Sequence, residues 1–181
     1  MDSKNKKIVI LEAASKIVAE KGIFSLTLEA IAKEAGISKG GLLYHYQSKE
    51  QLVEKMVEHL AVNYREKIAT NAEADLEEKG KWTRAYLDVT FKQPHQQADM
   101  HASLLAAKAV NPQLLDPIHT AYAEWQQAIE NDGLDPIHAT IIRLATDGIW
   151  LADLFGIDPI DPDSKEKIYE TLREWTKEYS V

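Results

Sequence analysis

The chain has 181 residues, 45% of them hydrophobic and 28% charged, an ordinary globular balance with length enough for one or two compact domains with a buried core. It contains no cysteine, which excludes a disulfide framework, a thiolate zinc site and a cysteine nucleophile. Net charge is −8, yet residues 1–50 hold eight lysines against six acids while the remainder has 13 basic residues against 23 acids, a mildly basic head on an acidic body.

The apolar run Ile8 to Leu11 is too short for a signal-peptide core or a membrane span, so a soluble cytoplasmic protein is expected. Lys4 to Lys21 reads as a first helix, with Ile10, Ala14, Ile17 and Val18 at helical spacing, and Gly22 stops it. Thr27 is the expected N-cap of a second helix, Leu28 to Ala35, with Ile31 and Ala32 facing inward. Gly36-Ile37 forms a turn. Ser38 caps a short third helix, Lys39 to His45. Ser48 caps a long fourth helix, and Gln51 at its third position completes a capping box. Leu52, Val53, Met56, Val57, Leu60 and Tyr64 form its apolar stripe; it is expected to run to about Leu76, with Gly80 ending it.

Four or five further helices follow. Trp82 to Lys92 is one, and Pro94 opens another that runs to about Val110. Asn111-Pro112 reads as an N-cap with proline at the first helical position, and Asp116-Pro117 offers a second start for the same helix, which carries Ile118, Tyr122, Trp125 and Ile129. Asp132-Gly133 breaks it. Asp135-Pro136 opens a helix to about Phe155, and Asp161-Pro162 opens the last, with Ile168, Leu172, Trp175 and Tyr179 as its stripe. No run shows the period-two alternation of a half-buried strand, so the fold class is all-α, about nine helices in total.

The second and third helices and their tight turn have the layout of a helix-turn-helix, whose second helix enters the DNA major groove. The third helix carries Gly40-Gly41, and each glycine costs about 1 kcal/mol of helix stability against alanine. Either the helix is simply short and held by packing, or missing side chains let its backbone approach DNA. Lys39 can reach a guanine edge or a phosphate. Tyr44 and His45 can each donate to a phosphate oxygen, unless one ring packs in the small core, for which Tyr46 is the better candidate. Lys49 can hold a phosphate together with the free amides of the fourth helix, or it is a solvated surface charge.

Ala13-Ala14, Gly22, Thr27, Ile31-Ala32, Ala35-Gly36-Ile37-Ser38-Lys39-Gly40, Leu42, Tyr44-His45-Tyr46, Ser48-Lys49-Glu50 and Leu52 together resemble the DNA-binding domain of the TetR family of bacterial transcriptional regulators. The resemblance covers about the first 60 residues. Two positions depart from it: 41 more often holds Thr, Ala or Ser than Gly, and 46 is more often Phe. It implies a DNA-binding domain over 1–47 and a helical ligand-binding and dimerisation domain over 48–181. It implies phosphate contacts from Thr27, Tyr44, His45 and Lys49, and a groove-facing surface of Ser38, Lys39, Gly40, Gly41 and Leu43. It implies a homodimer on a near-palindromic double-stranded DNA operator, and a small-molecule effector that weakens binding. A repressor is favoured over an activator, because a dimer on a promoter blocks polymerase by occupancy alone.

The body's composition supports part of this independently. Apolar residues of Asp135 to Phe155 wrap more than one face of that helix, so one contact within the chain cannot bury them all. Ile141, Ala145, Gly148 and Ala152 with Ile168, Leu172, Trp175 and Tyr179 could build a four-helix dimer interface, the alternative being a wholly internal core. Trp82, Tyr86, His101, Leu105, Tyr122 and Trp125 are the expected pocket residues, suiting an apolar or aromatic effector; the alternative for about half of them is ordinary core. No cofactor, metal or membrane partner is expected. His95, His101, Asp99 and Asp116 make a poor catalytic set, since the two histidines lie six apart and no hydrolase, zinc-protease or phosphate-loop motif occurs. The rival class is a helical interaction protein whose head no longer binds DNA.

Overall fold

The computed structural model describes residues 3–92, 94–157 and 160–178, with the side chains of residues 3, 4, 94–100, 154 and 178 excepted. Among the described residues there are nine α-helices and no strand: α1 Ser3–Lys21, α2 Leu28–Glu34, α3 Lys39–His45, α4 Lys49–Ala74, α5 Lys81–Lys92, α6 Pro94–Val110, α7 Asp116–Glu130, α8 Pro136–Phe155 and α9 Pro162–Glu178. Two short 3-10 turns, Ile23–Ser25 and Pro112–Leu115, complete the order. Two compact units emerge, one of Met1–Val62 with His95–His119, the other of Asn63–Pro94 with Thr120–Val181.

In the first unit, caps and glycines set the helix ends. Gly22 leaves α1 at φ 78°, a left-handed conformation that a side chain disfavours. The Thr27 hydroxyl oxygen accepts from the Ala30 amide at 3.1 Å, and that of Ser38 from the Gly41 amide at 3.0 Å. Between them Gly36, at φ 66°, closes α2: its amide donates to Lys33 and the Ile37 amide to Ala32, the paired bonds of a Schellman motif. Ser48 accepts from the Gln51 amide at 3.0 Å, but the Gln51 side chain reaches the Gln47 amide at 2.6 Å rather than that of Ser48, so the capping box is displaced by one residue. Ile10, Ala14 and Ile17 of α1, Ile31 of α2, Leu42 of α3 and Leu52 and Val53 of α4 are fully buried. Tyr46 is buried too, its hydroxyl donating to the Lys7 carbonyl at 3.4 Å.

The second unit is organised by α5, which packs against α8 and α9. Leu87, Ile142, Tyr169 and Leu172 form its apolar cluster, with Phe91, Ala145 and Ile168 against it. α4 ends at Ala74, two residues before the expected end. The physical reason is Arg84, a buried guanidinium on α5 that gathers the following segment. Its Nε donates to Asp75 at 2.7 Å, and its terminal nitrogens donate to the carbonyls of Glu77 at 2.6 Å and Lys79 at 2.9 Å. It also reaches the Thr176 hydroxyl at 3.4 Å, which ties α9 to the same hub. Asp132 caps α5 from a distance, taking the Thr83 amide and hydroxyl, both at 2.9 Å. Of the two starts offered by the sequence for α7, Asp116 is the one adopted; Asn111 instead caps the 3-10 turn, accepting from the Gln113 amide at 3.1 Å. Asp135 and Asp161 cap α8 and α9 as the Asp-Pro pairs suggest, accepting from the amides of His138 and Ser164 at 2.9 Å.

Candidate DNA-facing surface and effector site

α3 has one buried side chain, Leu42, and an outer face that nothing in the first unit covers. Ser38, Lys39 and Gly40 are exposed, Leu43 is at the margin, and Tyr44 is 84% exposed. A methyl group added at Gly40 would meet open space, so internal crowding does not account for that glycine. One at Gly41 would come within 3.2 Å of the Ser38 hydroxyl that caps the helix, a tight contact that asks the hydroxyl to give way by a few tenths of an ångström. His45 is half-buried with its ring edge-on to Tyr44 at 5.2 Å. Thr27 and Ser38 each spend an acceptor lone pair on capping, and the hydroxyl proton remains available to an outside acceptor. Lys49 opens α4, where the first amides have no intrahelical acceptor. Lys39 is not idle: its ammonium hydrogen-bonds the Glu29 carboxylate of α2 and holds that carboxyl below the usual carboxylate range.

The expected pocket residues do not all meet. His101 and Leu105 belong to the first unit. Trp82 lines an open recess of about 470 Å³ with Lys79, Asn131 and Asp132, which Tyr86, Tyr122 and Trp125 do not line. Those three do come together, with Tyr64 as a fourth ring: centroids of Tyr122, Tyr86 and Tyr64 lie 5.1, 5.8 and 6.1 Å from that of Trp125. Behind the rings is a polar network that sequence reasoning missed. The Tyr86 hydroxyl donates to Asp147 at 2.5 Å, Arg143 donates to the other Asp147 oxygen at 2.6 Å, and Arg143 Nε donates to Gln126 at 2.6 Å. Burial pushes the Asp147 carboxyl up, against the downward pull of the Tyr86 hydroxyl and the Arg143 charge. Burial likewise raises the Tyr122 phenol to about 12 and Tyr86 well above its ordinary value, so both stay protonated donors. The Trp125 indole N–H is buried and has no hydrogen-bond partner among the described residues. The missed signal was two charges four apart, Arg143 and Asp147, inside the apolar run of α8.

The expected dimer residues also divide. Leu172 is covered by its own chain in the Leu87 cluster, and Ala145 and Ile168 pack against that cluster. Ile141 is 49% exposed, Gly148 is exposed and Ala152 half-buried. Trp175 is partly exposed, its ring 5.8 Å from that of His138. Tyr179 lies outside the described residues. The exposed apolar stripe of α8 runs through Ile137, Ile141, Leu144, Leu151 and Phe155, at helical spacing.

No helix among the described residues is long and apolar enough to cross a membrane, and no cluster of described residues has the makings of a metal site. Residues 10–56 match the family described as bacterial regulatory proteins, tetR family, and residues 80–177 match the tetracyclin repressor-like C-terminal domain. The HTH-type transcriptional regulator LmrA of Bacillus subtilis is 32% identical over 135 residues, which cover 71% of this chain and 70% of LmrA. A transcriptional regulator of Saccharomonospora viridis, solved in complex with choline, superposes with a TM-score of 0.76 at 18% identity, covering 97% of each chain. The fatty acid degradation regulator FadR of Bacillus halodurans superposes at 0.74 with 15% identity over 99% of each chain. With a matched domain at each end and a 32% identical relative aligned over 71% of its length, the chain belongs to the TetR family of helix-turn-helix transcriptional regulators.

Proposed function

We propose that the chain is a homodimeric repressor that binds a near-palindromic operator and is released by a small-molecule effector. The observation that carries this reading is the outer face of α3: a capped helix whose uncovered side offers a lysine, a glycine with open space above it, an apolar Leu43 and an almost fully exposed Tyr44. In this reading residues 1–47 form the DNA-binding domain and 48–181 the effector and dimer domain. Ser38, Lys39, Gly40, Gly41 and Leu43 face base edges, and Thr27, Tyr44, His45 and Lys49 hold phosphates. The head is only mildly basic, so one copy binds weakly and two are needed. The second copy is met through the exposed α8 stripe with Trp175, where Gly148 permits close helix approach.

The effector seat is the aromatic group of Tyr64, Tyr86, Tyr122 and Trp125. The unpaired indole N–H supports this, since a buried donor without an acceptor is costly and a ligand acceptor would relieve it. Tyr64 lies on α4, the same helix that begins at Lys49, so a ligand that shifts Tyr64 acts on the helix that seats the phosphate contact. A coupling of roughly 1–3 kcal/mol is typical for such linkage. The experiment is footprinting on DNA from upstream of the chain's own gene at low salt. A two-fold symmetric protected site is expected; no protection leaves the interaction-protein reading in its place.

A further inference from the structure

Lys39, the lysine on the outer face of α3, is the one residue of that face whose charge is already taken. Glu29, the second residue of α2, holds its ammonium across the turn, ten residues back in the chain, and both side chains are more than half exposed. Among the described residues of this head, the other ion pairs, Lys16 with Glu34 at 2.5 Å and Lys21 with Glu34 at 4.0 Å, join α1 to α2 and leave α3 untouched. Glu29 also serves the start of α2: Thr27 is the N-cap, and the Glu29 carboxylate accepts from its own backbone amide in the first turn. Of the partners of its carboxylate, Lys39 has the larger effect on it, and Lys39 sits where the duplex is to dock.

We propose that Glu29 is an intramolecular competitor of DNA for Lys39, and that it sets both the affinity and the salt dependence of the head. This rests on the DNA-binding reading given above. When Lys39 turns to a phosphate or a guanine edge it must leave Glu29, and the vacated carboxylate stays beside the duplex as a like charge. The transfer replaces one anionic partner by another, so it gains little and adds little net ion release. With Glu29 made neutral, Lys39 starts unpaired, and its contact contributes as a full phosphate neutralisation. Each such contact steepens the dependence of log affinity on log salt by about 0.9.

The test uses the full chain, the variants Glu29→Gln, Lys39→Ala and the pair combined, and a fluorescein-labelled duplex of scrambled sequence titrated by anisotropy across about 50–200 mM salt. Glu29→Gln is expected to bind about 2- to 5-fold tighter per head at the low end, the range over which exposed ion pairs act. Its salt slope is expected to be steeper by up to about 0.9 per head. In the Lys39→Ala background the same substitution should keep only the smaller part of each change, from the like charge removed beside the duplex, because the rest acts through Lys39. Circular dichroism melting should fall only slightly in Glu29→Gln, since α2 loses a first-turn acid while both partners of the ion pair are solvent-exposed. Equal or weaker binding by Glu29→Gln overturns the proposal, as does a gain that is undiminished without Lys39, which would make Glu29 only a general repulsive charge. A wild type that binds no duplex sinks the DNA-binding reading and this one together; a wild type that binds while Glu29→Gln binds no tighter sinks this one alone.

Discussion

Removing the Lys49 ammonium should change how salt acts on DNA binding, by an amount that can be worked out beforehand. Lys49 is the first residue of α4. At that end the Ser48 hydroxyl takes the Gln51 amide and the Gln51 side chain takes the Gln47 amide. The amides of Lys49 and Glu50 have no intrahelical acceptor, so with the ammonium they make a seat for one phosphate. In a dimer there are two such seats. Lys49→Ala should therefore flatten the slope of log affinity against log salt by about 1.8. Between about 50 and 200 mM salt, wild type should lose about twelvefold more affinity than the variant. Tyr44→Phe serves as the comparison, since it removes a neutral donor: affinity should fall several-fold with the slope unchanged. Anisotropy titrations at four or five salt concentrations measure both. An unchanged slope in Lys49→Ala would refute the phosphate assignment, whatever happened to the affinity.

Other expectations concern the scaffold and the dimer. Arg84→Ala strands the carbonyls of Glu77 and Lys79 and the Asp75 carboxylate, and should cost about 3 kcal/mol, lowering the melting temperature by roughly 6–12 °C. Because the Arg84 hydrogen bond lowers the folded Asp75 pKa, that contribution is present above the unfolded value of about 3.9 and is lost as pH falls through the lower folded value. Acid titration of stability below about pH 4 should thus be shallower in the variant. Gly36→Ala meets no neighbour but must hold φ 66°, so about 1–2 kcal/mol should be lost with no change in burial, as read by denaturant midpoint at constant m-value. Ile141→Glu with Leu144→Glu alters two exposed side chains, and should yield monomers by light scattering with unchanged circular dichroism; a stable dimer would move the interface elsewhere.

What could be read from the chain alone was local. A cap joins a side chain to an amide two or three residues on, so Thr27, Ser38, Asn111, Asp135 and Asp161 were legible from residue type and spacing. The Schellman turn at Gly36 follows from the same logic, and α3 keeps its expected bounds, Lys39 to His45. Features that depend on distant partners were not legible. α4 stops early because Arg84, nine residues beyond Asp75, draws the segment to α5, and no helical period carries that contact. Leu172 and Trp175 share one stripe of α9 in the sequence, yet the α5 residue Leu87 helps cover the first and leaves the second at the surface. The aromatic group was legible in part, since Tyr122 and Trp125 lie three apart on α7, whereas Tyr86 and Tyr64 join them only through packing, and Asp147 through hydrogen bonds. Glu29 is the sharpest case: as a sequence position it reads as a favourable acid in a first helical turn, and only the packing of α2 on α3 brings it to Lys39.

In the proposed function, two heads of this chain grip one duplex in a sequence-dependent way. Repeated selection of bound molecules from a pool of random duplexes, with the purified full chain at low salt, tests it most directly. Enrichment of a near-palindrome is expected, its half-sites about one helical turn, or a multiple of it, apart. A pool that stays random after repeated rounds, or that converges on an asymmetric single half-site, contradicts it.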